Sequence, residues 1–217
     1  KKKQLGSLVY SAEMLNQPID EENCPFKKAT FKYKTMEQVL AMKTRKFATI
    51  DTALSKGSKS DNTGITKNYV NRENDWHFSA RKYKIDPKEL INLIFQMHDE
   101  GFEEIGIEET AYSEAIEPFF RDECAIRNKF PYITKLKHGG IMKETRIRGL
   151  IPRYEAGNIY HIEGECDDLE QELLRFPQSI NDDVMDSAQY QNKIAKPYME
   201  QTYFEEDYKP QYEDIGI

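Results

Sequence analysis

The chain has 217 residues and a formal net charge of −7 at neutral pH, with 38% hydrophobic and 32% charged residues. This length is enough for one substantial α/β domain with a packed core, and 12% aromatic residues is not the composition of a disordered chain. No apolar run approaches the roughly 18 residues that a membrane-spanning helix needs. The cysteines are few, far apart and free of CxxC spacing, which argues against a zinc site and fits a reducing compartment. They are Cys24, Cys124 and Cys166.

Composition divides the chain into three parts. Residues 1–44 are predicted to be an extended lead-in, because Pro18 and Pro25 interrupt regular structure there. Residues 45–197 carry the apolar patterns of a folded domain, and residues 198–217 form an acidic, tyrosine-rich tail that we expect to be loosely ordered. No signal peptide is visible and Lys1 is no natural start, so we expect a fragment of a longer protein.

Short apolar runs predict strands at 47–51, 65–70, 76–85, 105–107 and 132–134. The first three follow one another through turns, which favours an antiparallel meander. Asp86 and Pro87 are typical of a helix start, and Gly101 of a helix end. Further helices are predicted at 113–128, 143–150, 167–176 and 182–196, and a β-hairpin at 151–162. The order predicts an α/β fold, a mixed sheet flanked by helices with an added β-hairpin.

Acidic residues stand at the ends of these elements. Asp51 ends the first strand and Glu108 the fourth, with Glu109 beside it. Three more acids open the last helix, namely Asp182, Asp183 and Asp186. Each acid alone has a plain alternative reading as a helix cap, a first-turn acid or a solvated strand end. If they converge, three such carboxylates can hold two divalent cations about 4 Å apart and cut a phosphodiester.

Hard oxygen ligands of this kind suit Mg²⁺ or Mn²⁺, so these are the expected cofactors. The expected metal ligands and catalytic residues are Asp51, Glu108 and Asp183. The chain has no GxxxxGK[ST] sequence, so no P-loop motor is expected in it. A basic stretch at 135–153 contains one acid, Glu144, and could serve either as a solvated face or as a phosphate-binding surface.

Four segments together resemble the C-terminal nuclease domain of the large terminase subunit of tailed double-stranded DNA phages. They read ATIDTALSKGSKSDNTGI, IGIEETAYSEAI, IRGLIPRYEAGNIYHI and LEQELLRFPQSINDDVMDSAQY. An earlier segment, SLVYSAEMLNQPID, resembles the end of the ATPase part that precedes that domain. The resemblance covers most of residues 8–195, and its most specific part is the FP…DDxxD pattern.

The resemblance implies an RNase H-like fold and metal-dependent cutting of concatemeric viral DNA at the start and end of packaging, with little sequence preference. Asp51 matches the first-strand aspartate, Glu108 the fourth-strand acid and Asp183 the late acid. Asp182, beside Asp183, and Asp186, which matches a recurrent acid one helical turn on, are implied as further metal ligands. Asn181 stands where the family often has histidine, so no imidazole ligand is implied there. The residues expected to hold the DNA backbone are Lys137, Lys143, Arg146 and Arg148.

The expected partners are double-stranded DNA and, through the full-length protein, the portal protein and the small terminase subunit. The resemblance places the activity in the host cell cytoplasm during phage assembly, outside the mature virion, with the isolated fragment a monomer and no membrane partner. Two other readings stay open at this point. One is a junction resolvase or RNA–DNA hybrid nuclease on the same fold, and the other is a non-catalytic DNA- or portal-docking module.

Overall fold

The computed structural model describes residues 24–52, 62–112, 116–137, 139–179 and 182–198. Within these residues seven strands form one mixed sheet in the order β1-β7-β4-β3-β2-β5-β6. The central pairs β4–β3 and β3–β2 are antiparallel. The outer pairs β1–β7, β7–β4, β2–β5 and β5–β6 are parallel. The predicted antiparallel meander within a mixed sheet is therefore confirmed.

The strands are β1 (Lys32–Lys34), β2 (Arg45–Thr52), β3 (Asn62–Val70), β4 (Trp76–Lys84), β5 (Glu104–Glu108), β6 (Ile133–Leu136) and β7 (Ile159–Ile162). The helices are α1 (Met36–Leu40), α2 (Pro87–Asp99), α3 (Glu109–Ala111), α4 (Glu117–Arg127), α5 (Lys143–Arg148), α6 (Ile151–Glu155), α7 (Asp167–Leu173), α8 (Asp183–Gln189) and α9 (Gln191–Ile194). A single 3₁₀ turn, Lys28–Thr30, precedes β1.

Strand β2 shows how the sheet separates two cores. Because side chains alternate along a strand, Phe47 joins the cluster on the α7–α8 face, while Ala48 and Ile50 join the cluster on the α2–α4 face. Asp51 lies four residues after Phe47 on the same strand, and therefore on the same face of the sheet. The alternation that builds both cores therefore turns Asp51 toward α8.

Helix α2 begins as its sequence predicts. The Asp86 side chain accepts a hydrogen bond from the Glu89 backbone N–H at 2.8 Å, and the Glu89 carboxylate accepts one from the Asp86 N–H at 2.9 Å. Such a reciprocal cap satisfies two donors that would otherwise lack partners at the helix end. After the helix, Gly101 takes a left-handed conformation with φ +84°.

The predicted β-hairpin at 151–162 is wrong. Residues Ile151–Glu155 form helix α6, and only Ile159–Ile162 form a strand, which pairs with β1 and β4 rather than with the preceding segment. Pro152 in the first turn is compatible with a helix start, and Gly157, with φ +69°, redirects the chain after it. Tyr154 is buried and its hydroxyl lies 2.8 Å from His161 Nε2, an attachment that ties α6 to β7.

The sheet also includes part of the segment that the sequence assigned to the lead-in. Strand β1 pairs with β7, and Phe26 and Phe31 pack edge-on or tilted against Tyr154 in the core of the α7–α8 face. The fold therefore begins before residue 45. Apolar spacing missed β1 because its three residues, Lys-Tyr-Lys, are partly exposed at the sheet edge.

Several features of the sequence lie outside the described residues, namely the turn at 53–61 with Asp61, His138, Asn181 and the tail at 199–217. Among the residues that are described, no helix combines the length and apolar character needed to cross a membrane.

Candidate active site

The expected first and second acids lie side by side at one edge of the sheet. Strands β2 and β5 are parallel neighbours, with Ile50 opposite Ile107, so Asp51 and Glu108 are the next residues of the two strands. On the other side of β2, Asp51 pairs with Gly64 of β3, and Gly64 pairs with Lys82 of β4. Four adjacent strands thus place Lys82, Gly64, Asp51 and Glu108 in one row.

The start of helix α8 lies directly on this row. The carbonyl oxygen of Asp183 lies only 2.0 Å from the position that a Cβ on Gly64 would occupy. Glycine is therefore required for the helix to approach β3 so closely, since any other residue would collide with backbone. This approach brings the acids of the first turn of α8 over the ends of β2 and β3.

A buried polar network fixes α8 and α9 on the strands. The Thr49 hydroxyl donates to the carbonyl of Ser187 at 2.7 Å, and the Thr66 and Ser187 hydroxyls lie 2.7 Å apart. The Gln191 amide donates to Thr49 Oγ1 at 2.8 Å and to the Thr66 carbonyl at 3.1 Å. Because buried polar groups are costly unless paired, this network specifies one position for the helix.

Asp51 has a strongly perturbed carboxyl group. Burial is the main cause and Asp186 the next, and together with Asp183 and Glu108 they raise the pKa of Asp51 from 3.8 to about 7, against an opposing effect of Lys143. A carboxyl group surrounded by three others resists ionisation because their negative charges repel. The structure thus brings together acids from β2, β5 and α8. Asp186, an expected metal ligand outside the expected catalytic set, raises the pKa of Asp51 more than Asp183 does.

The acids of α8 are held by cationic side chains. Lys143 Nζ lies 2.8 Å from Asp182 and 3.0 Å from Asp186. Arg146 contacts both oxygens of Asp186, at 2.9 and 3.2 Å, and the side chains of this pair are 7% and 5% exposed. Asp186 also accepts a hydrogen bond from Gln189 at 3.0 Å. Asp186 is therefore a tightly bound acid, whereas Asp182 lies at the open side of the cluster.

Two residues of the site, Lys82 and Glu172, are not among those predicted from the sequence. Lys82 Nζ lies 3.0 Å from Asp183 Oδ2 and 3.1 Å from Glu172 Oε1. Burial acts to lower the pKa of Lys82, but Glu172 and Asp183 outweigh it and raise that pKa. Glu172 is itself buried, and its Oε2 accepts the backbone N–H groups of Val184 and Met185 at 3.0 and 2.8 Å. A carboxylate from α7 thus caps the helix that carries the late acids.

The four residues expected to hold DNA differ in accessibility. Lys137 is 71% exposed, 3.2 Å from Glu109, and Arg148 is 47% exposed, paired with Glu144 one turn earlier. Lys143 is intermediate and lies among the acids. Arg146 is buried against Asp186, and this placement argues against the expected contact with a DNA backbone.

The donor set fits a hard divalent cation. All candidate ligands are carboxylates, the type that Mg²⁺ and Mn²⁺ prefer, and a cation would relieve the repulsion that raises the pKa of Asp51. Within the part of the chain that the structure describes, however, no three acidic, histidine or cysteine side chains already stand as a metal site. In this structure the carboxylates of α8 are instead paired with Lys82, Lys143 and Arg146.

No known family model matches the sequence, and no curated protein matches it either. Solved structures do match. The manganese-soaked terminase nuclease domain of human cytomegalovirus aligns with a TM-score of 0.52 at 11% identity, covering 78% of this chain and 95% of that one. The nuclease domain of the P22 large terminase aligns with a TM-score of 0.52 at 12% identity, covering 77% of this chain and 88% of that one. The chain therefore has the RNase H-like fold of terminase nuclease domains.

Proposed function

We propose that this chain is a metal-dependent endonuclease that cuts concatemeric viral double-stranded DNA during genome packaging, with little sequence specificity. The observation that carries the proposal is the convergence of Glu108, from the strand beside β2, and of the acids at the start of α8 on the half-buried Asp51. Burial and these acids raise the pKa of Asp51 to about 7. Perturbed acids gathered at strand ends are typical of active sites. The terminase nuclease domains that share the fold, one of them soaked with manganese, support the same reaction class.

In this proposal Asp51, Glu108 and Asp183 hold Mg²⁺ or Mn²⁺, with Asp182 at the open side. When bound, such cations lower the pKa of water and neutralise charge on the phosphate and on the leaving 3′ oxygen, and two ions are the number expected from the sequence. The hydrolysis forms a bond between phosphorus and the water oxygen and breaks the bond from phosphorus to the 3′ oxygen. One proton of the water ends on that oxygen, so the products are a 3′ hydroxyl and a 5′ phosphate.

The chain's own residues position these groups. Asp51 and Glu108 are fixed by the register of β2 and β5, and the late acids by the contact of Asp183 with Gly64. Arg146 keeps Asp186 in place beside Asp51. In this proposal the exposed cations Lys137 and Arg148 contact phosphates, and such contacts carry no sequence information, which is consistent with cutting with little specificity.

The same proposal includes the biological setting. The substrate would be concatemeric DNA in the host cell cytoplasm during phage assembly, presented by a full-length protein that also contacts the portal protein and the small terminase subunit. The net charge of −7 does not oppose this setting, because a phosphate responds to local charge near the site.

Substrate choice tests the proposal. Linear duplex, a four-way junction and an RNA–DNA hybrid of equal length are incubated with the protein and Mn²⁺, and the products are resolved on denaturing gels. We expect cutting of the duplex at many positions and slower cutting of the other two. Preference for the junction would indicate a resolvase, preference for the hybrid a ribonuclease, and no cutting of any substrate would contradict the nuclease proposal.

A further inference from the structure

Lys82 lies at one end of the row that also contains Gly64, Asp51 and Glu108, two strands away from Asp51. It stands on β4 opposite Gly64, which in turn stands opposite Asp51. Its ammonium nitrogen lies 3.0 Å from Asp183 and 3.1 Å from Glu172. Since Gly64 has no side chain, the backbone of Asp183 packs directly against it, and Lys82 and Asp51 lie on the two strands that flank this contact.

Side chains of α7 hold Lys82 and its ammonium group in place. The backbone N–H of Lys82 donates to Asp168 at 3.0 Å, which joins β4 to α7. Glu172, from the same helix, is held by the N–H groups of Val184 and Met185, so its remaining oxygen is aimed at Lys82. The lysine side chain is 19% exposed, and therefore can still meet a phosphate at the surface of the cluster.

Lys82 differs in this respect from Lys143, the other lysine of the cluster. If Lys143 moves away, Asp186 keeps its contact with Arg146. If Lys82 moves away, the ion pairs that it makes with both Glu172 and Asp183 are lost together, and one of these acids is buried. Removing the partner of a buried charge is strongly unfavourable. Lys82 is therefore expected to stay where it is when other cations are present.

We propose that the Lys82 ammonium group supplies, beside Asp183, the positive charge that a second divalent cation was expected to supply. The inference rests on the proposed nuclease function and changes its expected stoichiometry. One divalent cation is held on the side of Asp51 and Glu108, and Lys82 binds the phosphate oxygens on the side of Asp183. An ammonium group is a compact charge suited to this task, and it stabilises negative charge that grows on a phosphate during hydrolysis.

The test measures metal binding as well as cutting. Mn²⁺ is titrated calorimetrically into EDTA-stripped and dialysed wild type, Lys82→Met and Lys82→Arg, with Lys84→Met as the matched control, because Lys84 is an exposed lysine on the same strand. We expect one strongly bound ion per chain in the wild type, in Lys82→Arg and in the control. Lys82→Met removes the competing charge from Asp183, so a second ion should bind to it.

Cleavage gives the second readout. At low Mn²⁺ we expect Lys82→Met to cut duplex DNA on the order of a hundredfold more slowly than the wild type, the usual loss when one group that stabilises the transition state is removed. Its rate should recover with rising Mn²⁺ and depend on the square of the concentration, while the wild-type rate depends on the first power. Thermal unfolding in EDTA shows whether Lys82→Met is folded. If Lys82→Met is unfolded, the comparison is made between the wild type and Lys82→Arg, which keeps the positive charge.

Equal ion counts and equal metal dependence in the wild type and Lys82→Met would overturn the inference while leaving the nuclease intact. A Lys82→Arg variant that behaves as Lys82→Met would also overturn it, since the charge would then not be the cause. A wild-type protein that neither binds Mn²⁺ nor cuts DNA would instead contradict the proposed function itself.

Discussion

The carbonyl oxygen of Asp183 rests against Gly64, only 2.0 Å from the place where any other residue would carry its Cβ. This contact sets the distance between helix α8, which carries the late acids, and the strand that lies next to Asp51. It relates a backbone position on one element to the geometry of the whole candidate site.

Gly64→Ala should therefore separate the late acids from Asp51. The methyl group collides with backbone atoms of Asp183 and Val184, which cannot move without shifting α8. We expect a loss of stability of about 1–3 kcal/mol, typical of overpacking, and a larger loss of metal-dependent cleavage than the stability change explains. Urea unfolding and plasmid cleavage at saturating Mn²⁺ measure the two effects.

Gly106→Ala is the matched control, since Gly106 lies on β5 between the same two core layers. Its added methyl would meet the side chain of Leu136 at 2.7 Å, and the end of a leucine side chain can shift where a backbone cannot. Equal damage to cleavage from both variants would show that α8 is not positioned through Gly64.

The charge of Asp51 should lower the stability of the metal-free protein. Its pKa is about 7 in the fold against 3.8 in the absence of the cluster. A raised folded pKa means that ionisation opposes folding, so the penalty begins above about pH 4 and is complete above about pH 7, where three pKa units correspond to roughly 4 kcal/mol. Asp51→Asn should thus stabilise the EDTA-treated protein, and more so at about pH 8 than at about pH 5.

Urea unfolding of both proteins at the two pH values checks this expectation. Asp122→Asn, which removes an exposed acid of α4, should change stability little at either pH. If Asp51→Asn were less stable than the wild type at the higher pH, the carboxylate would be serving as a structural partner and not as a strained site group.

Local patterns were sufficient to predict strands β2 to β6 and the acid positions. Neighbouring residues indicate the apolar alternation in β2, the helix start at Asp86–Pro87 and the alternation of strands with helices. The structure confirms these elements. Asp51 and Glu108 could be identified as candidate site residues because each lies at the end of an apolar strand. The two residues lie side by side because β2 and β5 are parallel neighbours in the sheet, an arrangement that the order of the elements favours.

The remaining features depend on contacts between distant residues. Lys82 and Glu172 are 90 positions apart in the sequence, and nothing near either one marks it as part of a site. Arg146 was predicted to bind DNA because it lies in a basic stretch, yet burial against Asp186 is a property of the folded chain. The segment 151–162 has a turn-like centre. Its local residues therefore could not reveal that Tyr154 is buried in a helix, or that the strand at the end of the segment pairs with β4.

Glu172 should stabilise the start of α8 through its hydrogen bonds. Glu172→Ala leaves the N–H groups of Val184 and Met185 without their acceptor, whereas Glu172→Gln keeps an acceptor oxygen and loses the charge. We expect Glu172→Ala to unfold at a urea concentration lower by the equivalent of about 2 kcal/mol, and Glu172→Gln to lose less. Equal losses in the two variants would mean that the charge, and not the cap, stabilises the helix.

Arg146 and Arg148 should behave differently when each is changed to alanine. Removal of Arg146 leaves Asp186 without the guanidinium group that contacts both its oxygens, and breaking a buried ion pair costs about 3–5 kcal/mol. Removal of the exposed Arg148 should leave stability nearly unchanged and reduce the slope of DNA affinity against salt by about one. Thermal unfolding and filter binding across salt concentrations separate the two, and an unchanged salt slope in Arg148→Ala would remove it from the DNA surface.

The most direct test of the account is cleavage of supercoiled plasmid with Mn²⁺, Mg²⁺ or EDTA, by the wild type and by Asp51→Asn. We predict nicking and linearisation by the wild type with a divalent cation, none with EDTA, and none by a folded Asp51→Asn protein under any condition. Cleavage that persists in Asp51→Asn, or a folded wild type that is inert with both metals, would contradict it.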